Sequence, residues 1–297
     1  GRTVVEVVDD LDLSKMFGET TLQSIEQEVR FKPGVDSVHR EYKLKVRSLE
    51  DGLAVFLFQD ITRRKNIENV RRDFVANVSH ELRSPLTSLA GFVETLQHGD
   101  VSDEAMRTRF LRIMDEEAKR MSRLIDDLLS LSKVEIDEHI VPDNQVELLD
   151  VLLTVHESLA DRALERGISI KIVDLRPDQK LNPVVLGSFD EMTTVFVNVV
   201  DNAVKYGFDN TEIEITIFEV SSNRLQIDVT NHGEGIEQRH LSRLTERFYR
   251  VDKARSRQIG GTGLGLAIVK HIVNRHRGTL AVASRLNETT KFSVVLP

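Results

Sequence analysis

The 297-residue chain contains no cysteine. That excludes a disulfide framework and thiolate metal ligation, and it is compatible with a reducing compartment. No apolar run approaches the roughly 18–20 residues that span a bilayer; the longest, LAVFLF at Leu53–Phe58, is the size of a strand. Nothing at the start has the charged, apolar and small-residue order of a signal peptide. A basic excess is also missing. The 48 acidic and 40 basic residues leave a net charge of −8, which argues against nucleic acid as the main partner. Internal repeats and low-complexity segments are absent. With 40% apolar and 30% charged residues, the composition is that of a globular protein with material for real cores. The length fits two or three domains. The chain opens at Gly1 without a methionine, as expected of a piece of something longer.

Three regions differ in their periodicity. In residues 1–61, REYKLKVRSL alternates polar and apolar, EDG supplies turn chemistry, and LAVFLFQDIT reads as a second strand. A helix-like segment, LDLSKMF…TTLQSIEQ, precedes them. Two or three strands and one helix suggest the back half of an α+β domain. In residues 62–136 the period becomes helical. Ile67, Val70, Phe74, Val78, Leu82, Leu86, Leu89, Val93 and Leu96 recur three or four apart. QHGDVSD interrupts, with Gly99 able to end one helix and Ser102 or Asp103 able to cap the next. A second seam runs through Phe110, Met114, Met121, Leu124, Leu128 and Leu131, with Glu117 its only polar member. This predicts a helical hairpin with coiled-coil-like packing. Two helices bury one side of each seam, so pairing of two chains into a four-helix bundle is the economical solution. Packing of one hairpin onto its own chain is the competing one.

In residues 144–297 the pattern is mixed. LLDVLLTVHESLADRALERG predicts a helix and ISIKIVDL a strand. Ser188-Phe-Asp-Glu191 has the spacing of a capping box, opening a helix that Gly207 can end. Two alternating strands, Gly-rich loops, a helix beginning near Leu264 and a final strand pair follow. Sheet and helices with glycines in the connecting loops predict an α/β sandwich.

His80 lies two residues from Val78 and from Leu82 on the first seam. At about 100° per residue it faces nearly opposite that seam, toward solvent. A metalloprotease helix would need H-E-x-x-H, and the fifth position is Ser84. Pro85 cannot donate to the carbonyl of Glu81, so the helix should bend there. An exposed histidine beside a carboxylate is compatible with chemistry and equally with an ordinary surface.

Asn198, Asn202 and Lys205 in NVVDNAVKYG are spaced four and three apart and share one helix face. Two amide oxygens and an ammonium, followed by Tyr206, suit hydrated Mg²⁺ and phosphate oxygens. A solvated polar face produces the same triplet, so the spacing alone leaves both open. NHGEGI and GGTGLGLAIVK follow. The second run has neither the spacing nor the βαβ setting of a dinucleotide fingerprint, and no G-K-[ST] makes it a P-loop. Its glycines lead into a helix, where backbone N–H groups can cradle phosphates. Arg250, Lys253, Arg255 and Arg257 lie just upstream, placed to cover such phosphates.

In this order SHELRSPL, NVVDNAVKYG, NHGEGI, ERFYRV and GTGLGL resemble the H, N, first glycine, phenylalanine and second glycine boxes of the sensor histidine kinases of two-component systems. The resemblance covers about residues 62–297. Residues 1–61, with FLFQDITRRK at their end, resemble the C-terminal part of a PAS sensor domain. FVANVSHELRSPLTSLAGFVETL and RFYRVDKARSR are most similar to the phosphate-regulon sensor kinases. The resemblance implies a multidomain chain: a partial PAS-like α+β region at 1–61, a dimeric four-helix-bundle hairpin at 62–136, and an α/β sandwich ATP-binding domain of the Bergerat (GHKL) type at 144–297. It implies a homodimer that autophosphorylates from Mg-ATP and passes the phosphoryl group to an aspartate of a response-regulator receiver domain. The piece would be the cytoplasmic portion of a parent anchored in the bacterial inner membrane.

By position, the resemblance makes His80 the phospho-acceptor and Glu81 its acid/base partner. The hydroxyl of Ser84 would orient the water that dephosphorylates the regulator; threonine is common there, and serine lacks the β-branch that restricts its rotamer. Asn198 and Asn202 would hold Mg²⁺, Lys205 and Arg250 would neutralise phosphate, and Tyr206 would pack near adenine or ribose. Gly233 and Gly235 belong to the first glycine box. Gly261, Gly263, Leu264 and Gly265 belong to the second, where the glycines would shape the lid. Asn231 stands where the family has an aspartate that accepts from the adenine amino group. Charged hydrogen bonds contribute roughly 1.5–3 kcal/mol against about 0.5–1.5 for neutral ones, so about fivefold to tenfold weaker binding is expected. Asp228, three residues back on a strand, should face the other way. Two alternatives remain: a phosphatase or docking dimer impaired in ATP binding, and an ATPase of the gyrase and chaperone kind. The latter needs a water-activating glutamate at a position held here by Thr194.

Overall fold

The computed structural model describes residues 25–31, 40–48, 54–98, 103–177, 179, 182–221, 224–252 and 261–297. It divides into two compact units, Gly1–Glu81 and Leu82–Pro297.

The described part of the first unit holds an antiparallel sheet in the order β1 (Ile25–Phe31), β2 (Arg40–Ser48), β3 (Ala54–Asp60). Alternation in β2 does what its pattern predicts: Leu44 and Val46 are buried while Lys45 and Arg47 are exposed. They pair with Phe58 and Phe56 of β3. One expectation fails here. Ile25–Gln27, the end of the helix-like segment, are extended and pair with Val46, Lys45 and Leu44. The open edge of β2 supplies a ladder for their backbone, and this overrides a weak local preference; the rest of that segment lies outside the described residues. β3 feeds directly into helix α1 (Thr62–Gln97). Asp60 Oδ1 accepts from the Thr62 N–H at 2.9 Å, and the Thr62 hydroxyl accepts from the Glu41 N–H at 2.9 Å. The helix start is thus tied to β2, and hydrogen bonds from the Thr62 side chain and backbone hold the Asp60 carboxyl below its usual range.

α1 has 36 residues and runs through Pro85. Its partner α2 (Glu104–Ile136) is capped by Asp103, whose Oδ1 accepts from the Ala105 N–H at 3.0 Å. Phe92 and Phe110 pack between the two helices with ring centroids 5.1 Å apart. The seams differ in fate. Leu124, Leu131 and Val134 of α2 are buried, while Ile67, Val70, Leu86 and Val93 of α1 are exposed. The C-terminal half of α2 packs on its own chain, against helix α6 described below.

The remainder is a two-layer sandwich. A short strand pair, β4 (Asn144–Glu147) with β6 (Val184–Gly187), was not anticipated from the sequence. The main sheet has the order β5 (Ser169–Asp174), β7 (Glu212–Ser221), β8 (Arg224–His232), β10 (Thr289–Leu296), β9 (Thr279–Ser284). Only β5 and β7 run parallel among these neighbours. Helices α3 (Leu148–Leu164), α4 (Phe189–Tyr206) and α6 (Gly265–Arg275) cover one face, with the single turn α5 (Gln238–Leu241) in a connection. Val195, Phe196, Val199 and Val200 of α4, Val151 and Val155 of α3, Ile268 and Ile272 of α6, and Ile213, Ile215 and Ile217 of β7 are all buried in the core.

The capping box at α4 is not made. Ser188 is the N-cap but its side chain makes no capping bond. Arg275 has taken Glu191 in an ion pair, and His276 Nε2 accepts from the Ser188 N–H at 3.2 Å. Nδ1 of the same buried ring lies 2.8 Å from the Ile272 carbonyl, to which it donates in this tautomer. Burial pushes the His276 pKa down, so the neutral ring that this arrangement requires is favoured. Gly207 ends α4 as expected, though not by left-handed backbone: its φ is −69°. It is needed for room. Gly207 bridges Gly233, where a Cβ would stand 2.5 Å from the Tyr206 carbonyl.

Candidate nucleotide site

A cavity of about 450 Å³ lies between α4, the inner end of β8 and β10, the two glycine loops and α2, a size usual for small-ligand sites. Helical spacing delivers Asn198, Asn202, Lys205 and Tyr206 to one wall. Sheet register delivers the opposite one. Asn231 pairs with Ile213 and Thr290 in the row that continues through Val229 and Phe292, so it faces the helices from the end of the apolar face. Asp228, in the alternate row beside Thr216 and Ser293, points away and is held by Lys291 at 3.1 Å. Asn231 is 4% exposed; its Nδ2 reaches the His232 carbonyl at 3.4 Å, a long bond that leaves Oδ1 as the acceptor.

Gly235, Arg250, Gly261, Gly263 and Gly265 also line the cavity. The Gly265 backbone lies directly against the Asn198 amide, leaving no room for a Cβ. Asn198 Nδ2 donates to the Thr194 carbonyl at 2.9 Å, which turns its oxygen toward the glycine loop. Gly263 has φ +78°, and its carbonyl accepts from Phe248 N–H at 2.8 Å. Phe248 itself is left-handed at φ +63°, unusual for a bulky residue, in the segment that aims Tyr249 and Arg250 into the cavity. Arg250 donates to the Gly261 carbonyl at 2.6 Å. Gly233 and Leu264 do not line the cavity; Leu264 is fully buried as the N-cap of α6 and Gly233 holds the bridge to Gly207. Lys253, Arg255 and Arg257 lie outside the described residues.

Several residues at this site were not anticipated. Asp201 sits between the predicted side chains on α4, 2.5 Å from Lys205 Nζ and paired also with Arg162 of α3. Its position, three after Asn198 and four before Lys205, was legible in the spacing. Arg123, Asp126 and Asp127 of α2 line the cavity as well, for which no local pattern gives warning. The Thr262 hydroxyl donates to Asp127 at 2.5 Å. Burial pushes the Asp127 carboxyl up, against the Thr262 hydrogen bond that holds it down. The described lining carries four basic and five acidic side chains. A polyphosphate therefore needs a cation with it, and the amide oxygens of Asn198 and Asn202, hard neutral donors one turn apart, fit hydrated Mg²⁺.

His80 is exposed on α1 and Glu81 beside it is half-buried; both fall in the first unit. Ser84 is exposed at the start of the second. No helix among the described residues is long and apolar enough to cross a membrane.

This is a two-layer sandwich with a polar helix face opposite glycine loops. Residues 70–136 match the His Kinase A (phospho-acceptor) domain family, and residues 187–297 match the family described as histidine kinase-, DNA gyrase B- and HSP90-like ATPase. The chain belongs to the sensor histidine kinases that combine these two domains. It is 38% identical over 250 residues to the sensor protein kinase WalK of Staphylococcus aureus, covering 82% of this chain and 57% of WalK. It is 43% identical over 231 residues to the phosphate regulon sensor protein PhoR of Pseudomonas aeruginosa, covering 77% of this chain and 51% of PhoR. Likeness to the phosphate-regulon sensors is thus matched by likeness to WalK. The solved structure of the histidine kinase ThkA in complex with the response regulator protein TrrA is similar with a TM-score of 0.62 at 18% identity, over 100% of this chain and 86% of that one; at that identity the likeness concerns the fold. The chain spans about half the length of the curated relatives it matches.

Proposed function

We propose that this chain is the kinase portion of a dimeric sensor histidine kinase that phosphorylates His80 from Mg-ATP. The observation that carries the reading is the cavity itself: the Asn198–Asn202–Lys205 face and the second glycine loop meet across it, in a chain that also displays an exposed His80 beside Glu81. A ring nitrogen of His80 attacks the γ-phosphorus. The N–P bond forms as the bond to the β,γ-bridging oxygen breaks, ADP leaves, and Glu81 takes the ring proton. Lys205 and Arg250 bind phosphate oxygens, Asn231 accepts from the adenine amino group, and Tyr206 packs near the adenine or ribose. Mg²⁺, when held by Asn198 and Asn202, supplies charge neutralisation at the phosphates. The phosphoryl group then passes to a receiver-domain aspartate, where an O–P bond replaces the N–P bond. That ThkA was solved with a response regulator supports this class of partner. Dephosphorylation of the regulator with help from Ser84 belongs to the same reading. So do the division at 1–61, 62–136 and 144–297, a PAS-like origin for the first region, pairing through the hairpin, and anchoring of the parent in a membrane. The identity with PhoR supports a signalling context of phosphate supply.

The test is incorporation of γ-labelled phosphate from Mg-ATP by wild type, His80→Ala and Asn231→Asp. Acid-labile, alkali-stable label in wild type and none in His80→Ala is expected. The uncharged, buried Asn231 favours one second reading, a kinase tuned down toward phosphatase or docking work. Label in Asn231→Asp alone would select it. ATP turnover that survives His80→Ala would instead point to an ATPase.

A further inference from the structure

Two carboxylates reach the nucleotide cavity from outside the sandwich. Asp126 and Asp127 come from α2, the second helix of the hairpin, and Asp127 meets Thr262 of the glycine loop that leads into α6. Asp127 is the more buried of the two, and its contact with Thr262 is short and direct. The Thr262 oxygen in turn lies 3.3 Å from the Leu264 N–H, the amide at the N-cap of α6. A carboxylate is thus hydrogen-bonded to the loop whose N–H groups are suited to phosphate. The nearest turns of α2 are fastened separately. Two turns further on, Glu135 pairs with Arg247 and lies 3.7 Å from His271, which is 3.5 Å from Glu138, and Arg275 donates to the Ile140 carbonyl at 2.8 Å. Asp127 can leave Thr262 without undoing that second anchorage.

We propose that Asp127, with Asp126 beside it, sets which nucleotide the cavity accepts by holding the glycine loop against α2 and opposing the charge of a triphosphate. The proposal rests on the ATP-binding reading above and deepens it. A carboxylate at the phosphate end of a cavity whose described lining holds five acidic and four basic side chains repels each added phosphate charge. Loading of ATP therefore competes with the Asp127–Thr262 contact, while ADP, with less charge at that end, competes less. By linkage the effect is reciprocal: whatever frees α2 from the loop tightens ATP, and ATP loosens α2 by the same factor. That the Asp127 carboxyl is pushed up by burial agrees with a group already short of compensating charge.

The experiment uses the whole chain and measures Mg-ATP and Mg-ADP affinity by calorimetry for wild type, Asp127→Asn and Asp127→Ala. Asparagine keeps an acceptor for Thr262 and removes the charge; alanine removes both. Circular dichroism and a melting curve establish that each is folded. Asp127→Asn is expected to tighten ATP about tenfold, about 1.4 kcal/mol, and ADP about threefold or less, with Asp127→Ala at least as strong. Amide exchange around residues 123–131 is expected to quicken when wild type is saturated with Mg-ATP and to change little with Mg-ADP. Wild type that binds both nucleotides, with variants of unchanged or weaker ATP affinity, overturns the proposal and leaves the kinase reading intact. Equal tightening of ATP and ADP overturns it too, since the charge argument requires a difference. Absence of nucleotide binding in wild type and in both folded variants removes the kinase reading, and this proposal with it.

Discussion

Helices α1 and α4 carry the two halves of the proposed chemistry and are built in opposite ways. α4 has 18 residues, seven of them buried, and its polar face is finished by the glycine loops and by Asn231. α1 has 36 residues and Pro85 is its only buried member. Its seam positions Ile67, Val70 and Leu86 are each more than half exposed. A heptad seam left open in one chain calls for a second surface. The wall of the cavity lies within the second unit, whereas the helix that displays His80 leaves its seam exposed.

The strongest way to break this contrast is to attack α4 from beneath. Phe196 is fully buried, and Phe196→Ala should cost about 3–5 kcal/mol of stability, read by urea denaturation together with loss of nucleotide binding. A cost below about 1 kcal/mol would mean that α4 is not packed as described. Next comes the seam of α1. Leu86→Glu should weaken self-association on the order of a hundredfold, about 2.7 kcal/mol, in sedimentation equilibrium, with nucleotide affinity unchanged. An unaltered dimer would show that the seam serves another purpose.

The smallest effect concerns the N-terminus of α4. His276 is neutral in the fold because burial lowers its pKa. The unfolded chain, with an ordinary imidazole near 6.5, takes up a proton first as the pH falls. The associated stability is therefore full above about pH 6.5 and is lost as the pH drops through the folded value. His276→Gln should flatten that part of the stability–pH curve measured by urea titration. An unchanged slope would refute the role given to the ring.

Much of this was legible beforehand where one rule of side-chain direction sufficed. Spacing of four and three placed Asn198, Asn202 and Lys205 on one wall, the two-residue offset from Val78 and Leu82 turned His80 outward, and strand alternation separated Asn231 from Asp228. The misreadings have a common cause. Ser188 and Glu191 had the spacing of a capping box, but Arg275 and His276, more than eighty residues away, bind the groups that would have closed it. Ile25–Gln27 had a helical look until the edge of β2 offered them a ladder.

By itself, then, the amino-acid order determined which faces of each helix and strand are polar, because backbone geometry repeats every few residues and carries side chains with it. Only the tertiary structure decided that Asp127 meets Thr262 across 135 positions of chain, that Asp201 takes Lys205 and Arg162 together, and that half of α2 is covered while the seam of α1 is not. Those outcomes depend on which distant groups are brought within a few ångströms. Close approach of that kind is settled by packing of the whole core and leaves no periodic trace in either partner.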